Sequence, residues 1–202
     1  MEIKKVWEIY FSPTGTTKKV VTLLAEETAA ALGAPLEEYN FTLPKARQCF
    51  PQVSSGDLVI FGMPTYAGRL PNLMLKYLDT IAGNGALAVP VVTFGNRAFD
   101  NSLIELRNIL EGHGFHTVAA GAFSCEHSFS TDLGAYRPDW EDECEIKEFA
   151  GRIAEKLSAS EAKQLTASPI KVDGDPDAGY YQPRDRKGNF IDIRKVKPVT
   201  GS

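Results

Sequence analysis

Residues 6–17 of the chain read VWEIYFSPTGTT, and the two halves of this stretch differ in character. The first six residues are β-branched or aromatic apart from one glutamate, which is typical of a β-strand. The next six contain four hydroxyl side chains, one proline and one glycine. A helical pattern then covers residues 16–32 and ends before Gly33. The stretch therefore predicts a strand, a turn and a helix in direct succession.

The same alternation of strand and helix continues along the chain. We predict strands over 6–11, 35–39, 57–62, 87–94 and 115–123, and helices over 16–32, 71–81, 101–111 and 140–157. The segments 57–62 and 87–94 are almost wholly apolar, as in parallel strands that are covered on both faces. This order predicts one α/β domain over residues 1–167, with a doubly wound, five-stranded parallel sheet and helices on both faces.

Composition narrows the class of protein. Hydrophobic residues make up 43% of the 202 residues and charged residues 24%, and the formal net charge is −4. We expect a cytoplasmic protein with neither a membrane nor nucleic acid as its partner, because no apolar segment is long enough to span a membrane and neither a signal sequence nor a basic excess is present. The three cysteines have no C-x-x-C spacing, so no disulfide framework, iron–sulfur cluster or other metal site is expected within this sequence.

The turn after the first strand has the character of a phosphate site. Parallel sheets bind ligands beyond the carboxyl ends of their strands. Free N–H groups and the helix dipole attract an anion at a helix start, and Gly15 lets the backbone approach it closely. One hydroxyl would be enough to cap the helix, so four of them favour anion binding. Neither a P-loop nor a dinucleotide fingerprint is present. The candidate residues are Ser12, Pro13, Thr14, Gly15, Thr16 and Thr17.

The pattern Ser12-x-Thr14-Gly15-x-Thr17 resembles the phosphate-binding loop of flavodoxins, T/S-x-T-G-x-T, at all four specified positions. The segments PTYAGRLP at 64–71, GNRAFD at 95–100 and EHSF at 126–129 extend the resemblance over residues 3–160 to the flavodoxin half of flavodoxin–ferredoxin fusion proteins. The resemblance implies a flavodoxin-like fold with strand order 2-1-3-4-5, FMN as cofactor, and electron transfer as function. The alternative is an FMN-dependent NAD(P)H or quinone oxidoreductase.

The resemblance also implies a redox partner, with a ferredoxin-type iron–sulfur domain as one candidate. No C-x-x-C-x-x-C motif occurs up to Ser202, so whether such a domain follows in the full-length protein is left open. A signalling receiver would need acidic residues where the chain has Ser12 and Met63, which argues against that class. Residues 168–202 are rich in proline and aperiodic, and we expect an extension or linker that FMN binding does not require.

The same resemblance assigns the next two loops to the flavin ring. Tyr66 would stack on the ring, Gly68 would permit a backbone rearrangement beside it, and Arg69 would either attract the charge of the reduced ring or point to solvent. Phe99 would either flank the ring or pack on the next helix, and His127 would be structural or would tune the flavin. No catalytic residue is assigned. The cofactor-binding candidates of these loops are Pro64, Thr65, Tyr66, Ala67, Gly68, Arg69, Gly95, Asn96, Arg97 and Phe99.

Overall fold

A parallel sheet runs through the centre of the fold. The computed structural model describes residues 2–130, 132–182 and 184–191. The strands are β1 (Lys5–Tyr10), β2 (Leu36–Asn40), β3 (Asp57–Pro64), β4 (Leu87–Phe94), β5 (His116–Thr117) and β6 (Gly121–Ser124). Their order is β2-β1-β3-β4-β5, β6 also lies beside β4, and these pairings are parallel. The doubly wound sheet and its strand order are therefore confirmed.

Helices cover both faces of this sheet. They are α1 (Thr16–Leu32), α2 (Asn72–Leu78), α3 (Ser102–Gly112), α4 (Trp140–Ala159) and α5 (Ala162–Leu165), with a 3-10 helix at Pro44–Gln48. Helices α1 and α4 bury one apolar cluster, to which Leu58 and Ile60 of β3 belong, and α2 and α3 bury another, which contains Val59 and Phe61. Side chains alternate across a strand, so β3 serves both clusters. None of the helices within the described residues has the length and apolarity needed to cross a membrane.

The fifth strand was predicted as one continuous segment over 115–123, and the structure differs. The structure divides it into β5 and β6. Between the pairs Ala88–Thr117 and Val91–Gly121, β4 has two residues where the edge strand has three. The carbonyl of Ala88 accepts a hydrogen bond from the edge, so Pro90, two residues further on, faces the same edge. Because proline has no N–H to donate there, the extra residue forms a bulge that divides the strand.

Helix α2 is shorter than the predicted segment 71–81. Pro71 precedes it with a φ of −57°, as expected at a helix start. Met74 and Leu78 are buried, whereas Leu73 is 59% exposed. Residues four positions apart share a face of a helix, and Leu73 points about 100° away from Met74. The buried face of α2 is therefore formed by Met74 and Leu78, and Leu75 is partly buried against the same cluster.

Helix α1 lies close to the sheet because β3 has a glycine beneath it. A Cβ at Gly62 would lie 2.2 Å from Val21 Cγ2 and 3.1 Å from Thr17 Cγ2. Carbon atoms of packed side chains do not approach within 3.0 Å of each other, so any larger residue at this position would push the helix away. Gly62 thus places the start of α1, with its phosphate-loop candidates, next to the end of β3.

The extension after α5 packs on the domain. Val172 packs against the apolar cluster of α2 and α3, and residues 175–181 form hydrogen bonds to the loops that follow β3 and β4. These contacts bring the extension beside the predicted flavin loops. Residue 183 and residues 192–202 of the extension lie outside the described residues.

Candidate functional site

The loop between β1 and α1 presents backbone donors. The N–H groups of Thr14, Gly15, Thr16 and Thr17 donate to no acceptor among the described residues. Gly15 has a φ of 89°, in the left-handed region, and open space surrounds the position that a Cβ would occupy. The first turn of α1 contains no acidic side chain. Unpaired donors at the positive end of a helix dipole form a site for an anion.

Two of the four hydroxyl groups of this loop are bonded within the domain, and the other two lie at the cleft. Ser12 Oγ accepts a hydrogen bond of 2.9 Å from the N–H of Lys18 in the first turn of α1, so the Ser12 hydroxyl is used within the loop. Thr17 is buried, and its hydroxyl lies 2.7 Å from that of Thr93. The hydroxyls of Thr14 and Thr16 are 3.3 Å apart, and both residues line a cleft. Thr14 and Thr16 are therefore the better placed donors for a phosphate.

This cleft opens beyond the carboxyl ends of the strands. Seven of the predicted residues line it: Pro13, Thr14, Thr16, Pro64, Thr65, Tyr66 and Gly95. The lining is completed by Thr93, Phe94, Cys125, Glu126 and Ser128. Nine predicted residues lie in the same loops without lining the cleft, namely Ser12, Gly15, Thr17, Ala67, Gly68, Arg69, Asn96, Arg97 and Phe99. A role in cofactor binding stays a prediction for all sixteen.

A tight turn after β3 carries Tyr66 to the mouth of the cleft. Tyr66 and Arg69 exchange backbone hydrogen bonds of 2.8 and 3.1 Å. Between them, Ala67 and Gly68 have φ values of 49° and 80°, the two left-handed residues that a type I′ turn requires. The Tyr66 side chain is 38% exposed, and partial burial raises the pKa of its hydroxyl. Its ring is thus accessible to an aromatic ligand.

The guanidinium of Arg69 is paired with a buried carboxylate. Its Nε and Nη2 donate to the two carboxylate oxygens of Glu105 at 3.0 and 2.9 Å, and Nη1 donates to the carbonyl of Ala178. Glu105 also accepts a hydrogen bond from the Leu70 N–H at 2.7 Å. The bidentate bonds to Glu105 raise the pKa of Arg69. Because the pair has no net charge, it exerts a weaker field on the cleft than a lone arginine would.

The loop after β4 is held by its neighbours. Asn96 has a φ of 56°, and its Oδ1 accepts a hydrogen bond of 3.0 Å from the hydroxyl of Ser124. Arg97 forms an ion pair with Asp100. The ring of Phe99 lies 5.6 Å from that of the last residue of β4 and packs against the α2 and α3 cluster. Packing, the second of the two roles that the sequence left open for Phe99, accounts for its position.

His127 packs against Gly95 at the edge of the cleft. A Cβ at Gly95 would lie 2.4 Å from His127 Cδ2 and 3.0 Å from His127 Cα. His127 Nδ1 accepts a hydrogen bond of 3.1 Å from the N–H of Phe129, so these contacts give His127 a structural role. The neighbouring Cys125 is buried, and burial raises the pKa of its thiol to about 12. The thiol is therefore protonated at neutral pH and is no nucleophile.

An ion pair anchors the loop that contains His127. The N–H of Glu126 donates to the carbonyl of Arg137 at 3.1 Å. Arg137 Nε donates to Asp142 at 2.9 Å, and a second guanidinium N–H donates to the other oxygen of the same carboxylate. Asp142 belongs to the capping box at the start of α4, with Asp139. The guanidinium of Arg137 holds the pKa of Asp142 below its ordinary value.

The cleft and the space beside it fit FMN. The cleft holds about 30 Å³, and it shares Thr14, Thr16, Glu126 and Ser128 with the lining of a cavity of about 550 Å³. A volume of 550 Å³ is within the size range of small-molecule sites. The donors at the head of α1 suit a phosphate, and Tyr66 suits an aromatic ring. Among the described residues, no group of three His, Cys, Asp or Glu side chains could hold a metal ion.

Sequence reasoning missed several residues of this region. Glu126 and Ser128 belong to the EHSF segment that carried the resemblance, so a signal for them existed. Glu105 had no signal, because nothing in the spacing connects a residue of α3 with a turn 36 positions earlier.

The fold and the site define a flavodoxin-like, flavin-binding α/β protein. Residues 11–130 match the family described as NADPH-dependent FMN reductase. This match covers more than half of the chain, and the chain belongs to that family. Family membership confirms FMN as the flavin predicted from the sequence. No curated protein sequence matches the chain.

Several solved structures are similar to this chain in fold. A flavodoxin from the domain Archaea is 15% identical, with 76% of this chain and 99% of that chain covered and a TM-score of 0.52. An NADH:FMN oxidoreductase in its apo form is 19% identical, with 81% and 94% covered and a TM-score of 0.57. Rubredoxin oxygen:oxidoreductase from Desulfovibrio gigas is 22% identical, with 78% and 37% covered and a TM-score of 0.55. At these identities the likeness concerns the fold alone.

Proposed function

We propose that the protein carries electrons to or from a redox protein by means of FMN bound in the cleft. The N–H groups of residues 14–17 and the hydroxyls of Thr14 and Thr16 hold the phosphate. Tyr66 contacts the ring, and the loop from Gly95 encloses its other side. When bound, FMN supplies the chemistry, because it accepts and returns electrons.

One observation carries this proposal: two exposed aromatic side chains lie beside the cleft. Tyr66 is 38% exposed at the mouth, and Phe129, in the loop that borders the adjoining cavity, is 95% exposed. Aromatic side chains are enriched where proteins bind each other. The edge of a flavin ring bound beside such a surface is within reach of a protein partner. From the resemblance of the sequence, we take an iron–sulfur protein of ferredoxin type as that partner.

The second candidate is an FMN-dependent NAD(P)H oxidoreductase. Family membership favours it, as does the cavity of about 550 Å³ next to the narrow cleft. In this reading, part of the cavity receives a small reductant. The two functions share the fold and the FMN site, so the fold does not distinguish them.

An anaerobic comparison of reductants distinguishes the two functions. In one reaction, the protein loaded with FMN is mixed with NADPH. In the other, the FMN-loaded protein is first reduced chemically and then mixed with an oxidised ferredoxin. The visible absorbance is recorded in both. Free FMN at the same concentration is the control. We expect NADPH to leave the flavin oxidised and the reduced protein to reduce ferredoxin faster than free reduced FMN does. Rapid bleaching by NADPH with no acceleration toward ferredoxin would support the oxidoreductase instead.

A further inference from the structure

Residues 174–181, which we call the strap, touch the turn after β3, and none of them is among the residues that line the cleft. The N–H of Tyr181 donates to the carbonyl of Ala67 at 2.7 Å. The hydroxyl of Tyr180 donates to the carbonyl of Leu70, also at 2.7 Å. The strap therefore binds two backbone carbonyls, that of Ala67 within the Tyr66–Arg69 turn and that of Leu70 directly after it.

The strap also bonds to the loop after β4. The N–H of Asp175 donates to Asn101 Oδ1 at 2.8 Å, and the N–H of Asn101 donates to the carbonyl of Gly68 at 2.9 Å. The guanidinium of Arg97 lies over the ring of Tyr181, 5.0 Å from its centroid. The two predicted flavin loops are thus connected to each other and to the strap.

Arg69 is the centre of these contacts. Its guanidinium is bonded to Glu105 on one side and to the strap carbonyl of Ala178 on the other, and it lies 5.9 Å from the centroid of the Tyr180 ring. The Arg69 side chain is only 15% exposed. A buried, bidentate ion pair has little freedom to rearrange, so it fixes the strap relative to α3.

The turn needs such support because its backbone is strained. Ala67 has a φ of 49°, a left-handed conformation that residues with a Cβ disfavour. Conformations of this kind persist when their surroundings hold them. The N–H of Tyr181 binds the Ala67 carbonyl itself, so it acts directly on the strained residue.

We propose that the strap positions the flavin-facing turn, with the backbone N–H of Tyr181 as the positioning group and Tyr66 as the residue positioned. This role rests on the FMN site of the proposed function. It reverses the expectation, drawn from an aperiodic sequence, that the extension is dispensable for FMN binding. Because the strap acts on the ring side of the site, it affects flavins with and without a phosphate equally.

Two variants of one residue test the strap. Tyr181→Pro removes the N–H and the ring, whereas Tyr181→Ala removes the ring and keeps the N–H. The dissociation constants of FMN and riboflavin are measured by quenching of flavin fluorescence, and amide hydrogen exchange of residues 66–70 is measured in the flavin-free protein. Tyr180→Phe removes the hydroxyl that donates to the Leu70 carbonyl, so it tests the second contact of the strap by a milder change.

We expect Tyr181→Pro to weaken FMN and riboflavin alike by about five- to tenfold relative to Tyr181→Ala, the worth of one backbone hydrogen bond. Exchange within residues 66–70 should be faster in Tyr181→Pro, and Tyr180→Phe should show a smaller change in the same direction. Equal exchange and equal affinities in the proline and alanine variants, in a protein that binds FMN, would overturn the strap alone. A wild-type protein that binds no flavin would overturn the proposed function and the strap with it.

Discussion

Replacing Thr14 and Thr16 together by valine tests the phosphate site directly. Valine keeps the branched shape of threonine and has a methyl group in place of the hydroxyl. Hydrogen bonds to a charged group contribute about 1.5–3 kcal/mol each. Both hydroxyls lie at the surface of the cleft, so we take the lower end, about 3 kcal/mol for the pair. Since about 1.4 kcal/mol corresponds to a tenfold change, the dissociation constant for FMN should rise about a hundredfold.

The assay is a titration of FMN and of riboflavin by fluorescence quenching. Riboflavin has no phosphate, so the double variant should bind it as the wild type does. Thr80→Val is the matched control. Thr80 follows α2, away from the cleft, and its exposed hydroxyl donates a hydrogen bond to the carbonyl of Tyr77. Thr17→Val is a less clean test, because Thr17 is buried and bonded to Thr93.

The reasoning is refuted if the double variant binds FMN within about twofold of the wild type, because a hydroxyl bonded to the phosphate should contribute more than this. It is refuted equally if the double variant binds FMN and riboflavin more weakly than the wild type by the same factor. In either case the threonines would serve the structure of the loop and not the phosphate.

Three further predictions concern stability, each measured by thermal unfolding. Burial raises the pKa of Glu8 above its ordinary 4.5, so the charged form of Glu8 destabilises the folded protein as the pH rises above that value. Glu8→Gln should therefore stabilise the protein at pH about 7 and not at pH about 4. Equal effects at both pH values would contradict this. Arg137 lowers the pKa of Asp142 below 3.8, so the ion pair stabilises the fold above that pH and loses this contribution in acid. Asp142→Asn should therefore destabilise the protein at neutral pH and do so less at pH about 2. A loss of stability that does not depend on pH would contradict the ion-pair origin. Gly95→Ala should cost about 1–3 kcal/mol, because its Cβ would lie 2.4 Å from the ring of His127, and an unchanged unfolding temperature would show that the loop yields freely.

Much of the fold could be predicted from the sequence because its determinants are local. Apolar runs such as 57–62 and 87–94 can only be buried on both faces, and helical spacing after Gly15 defines α1. The phosphate-loop candidates follow from the same locality, since hydroxyls, a glycine and a helix start occur within six residues. These features depend on neighbours along the chain, which the sequence displays.

What only the tertiary structure decided concerns partners far apart along the chain. The break between β5 and β6 depends on which residue lies opposite Pro90, and the sequence does not display that register. Arg69 was predicted to act on the flavin or point to solvent, but its guanidinium is taken up by Glu105 and by the extension. The extension has no periodicity because it forms single hydrogen bonds to loops, and such bonds impose no repeating pattern on the sequence. Local patterns therefore determined the sheet, its helices and the phosphate loop, whereas the surroundings of the flavin-facing turn were decided by contacts that exist only once the chain has folded.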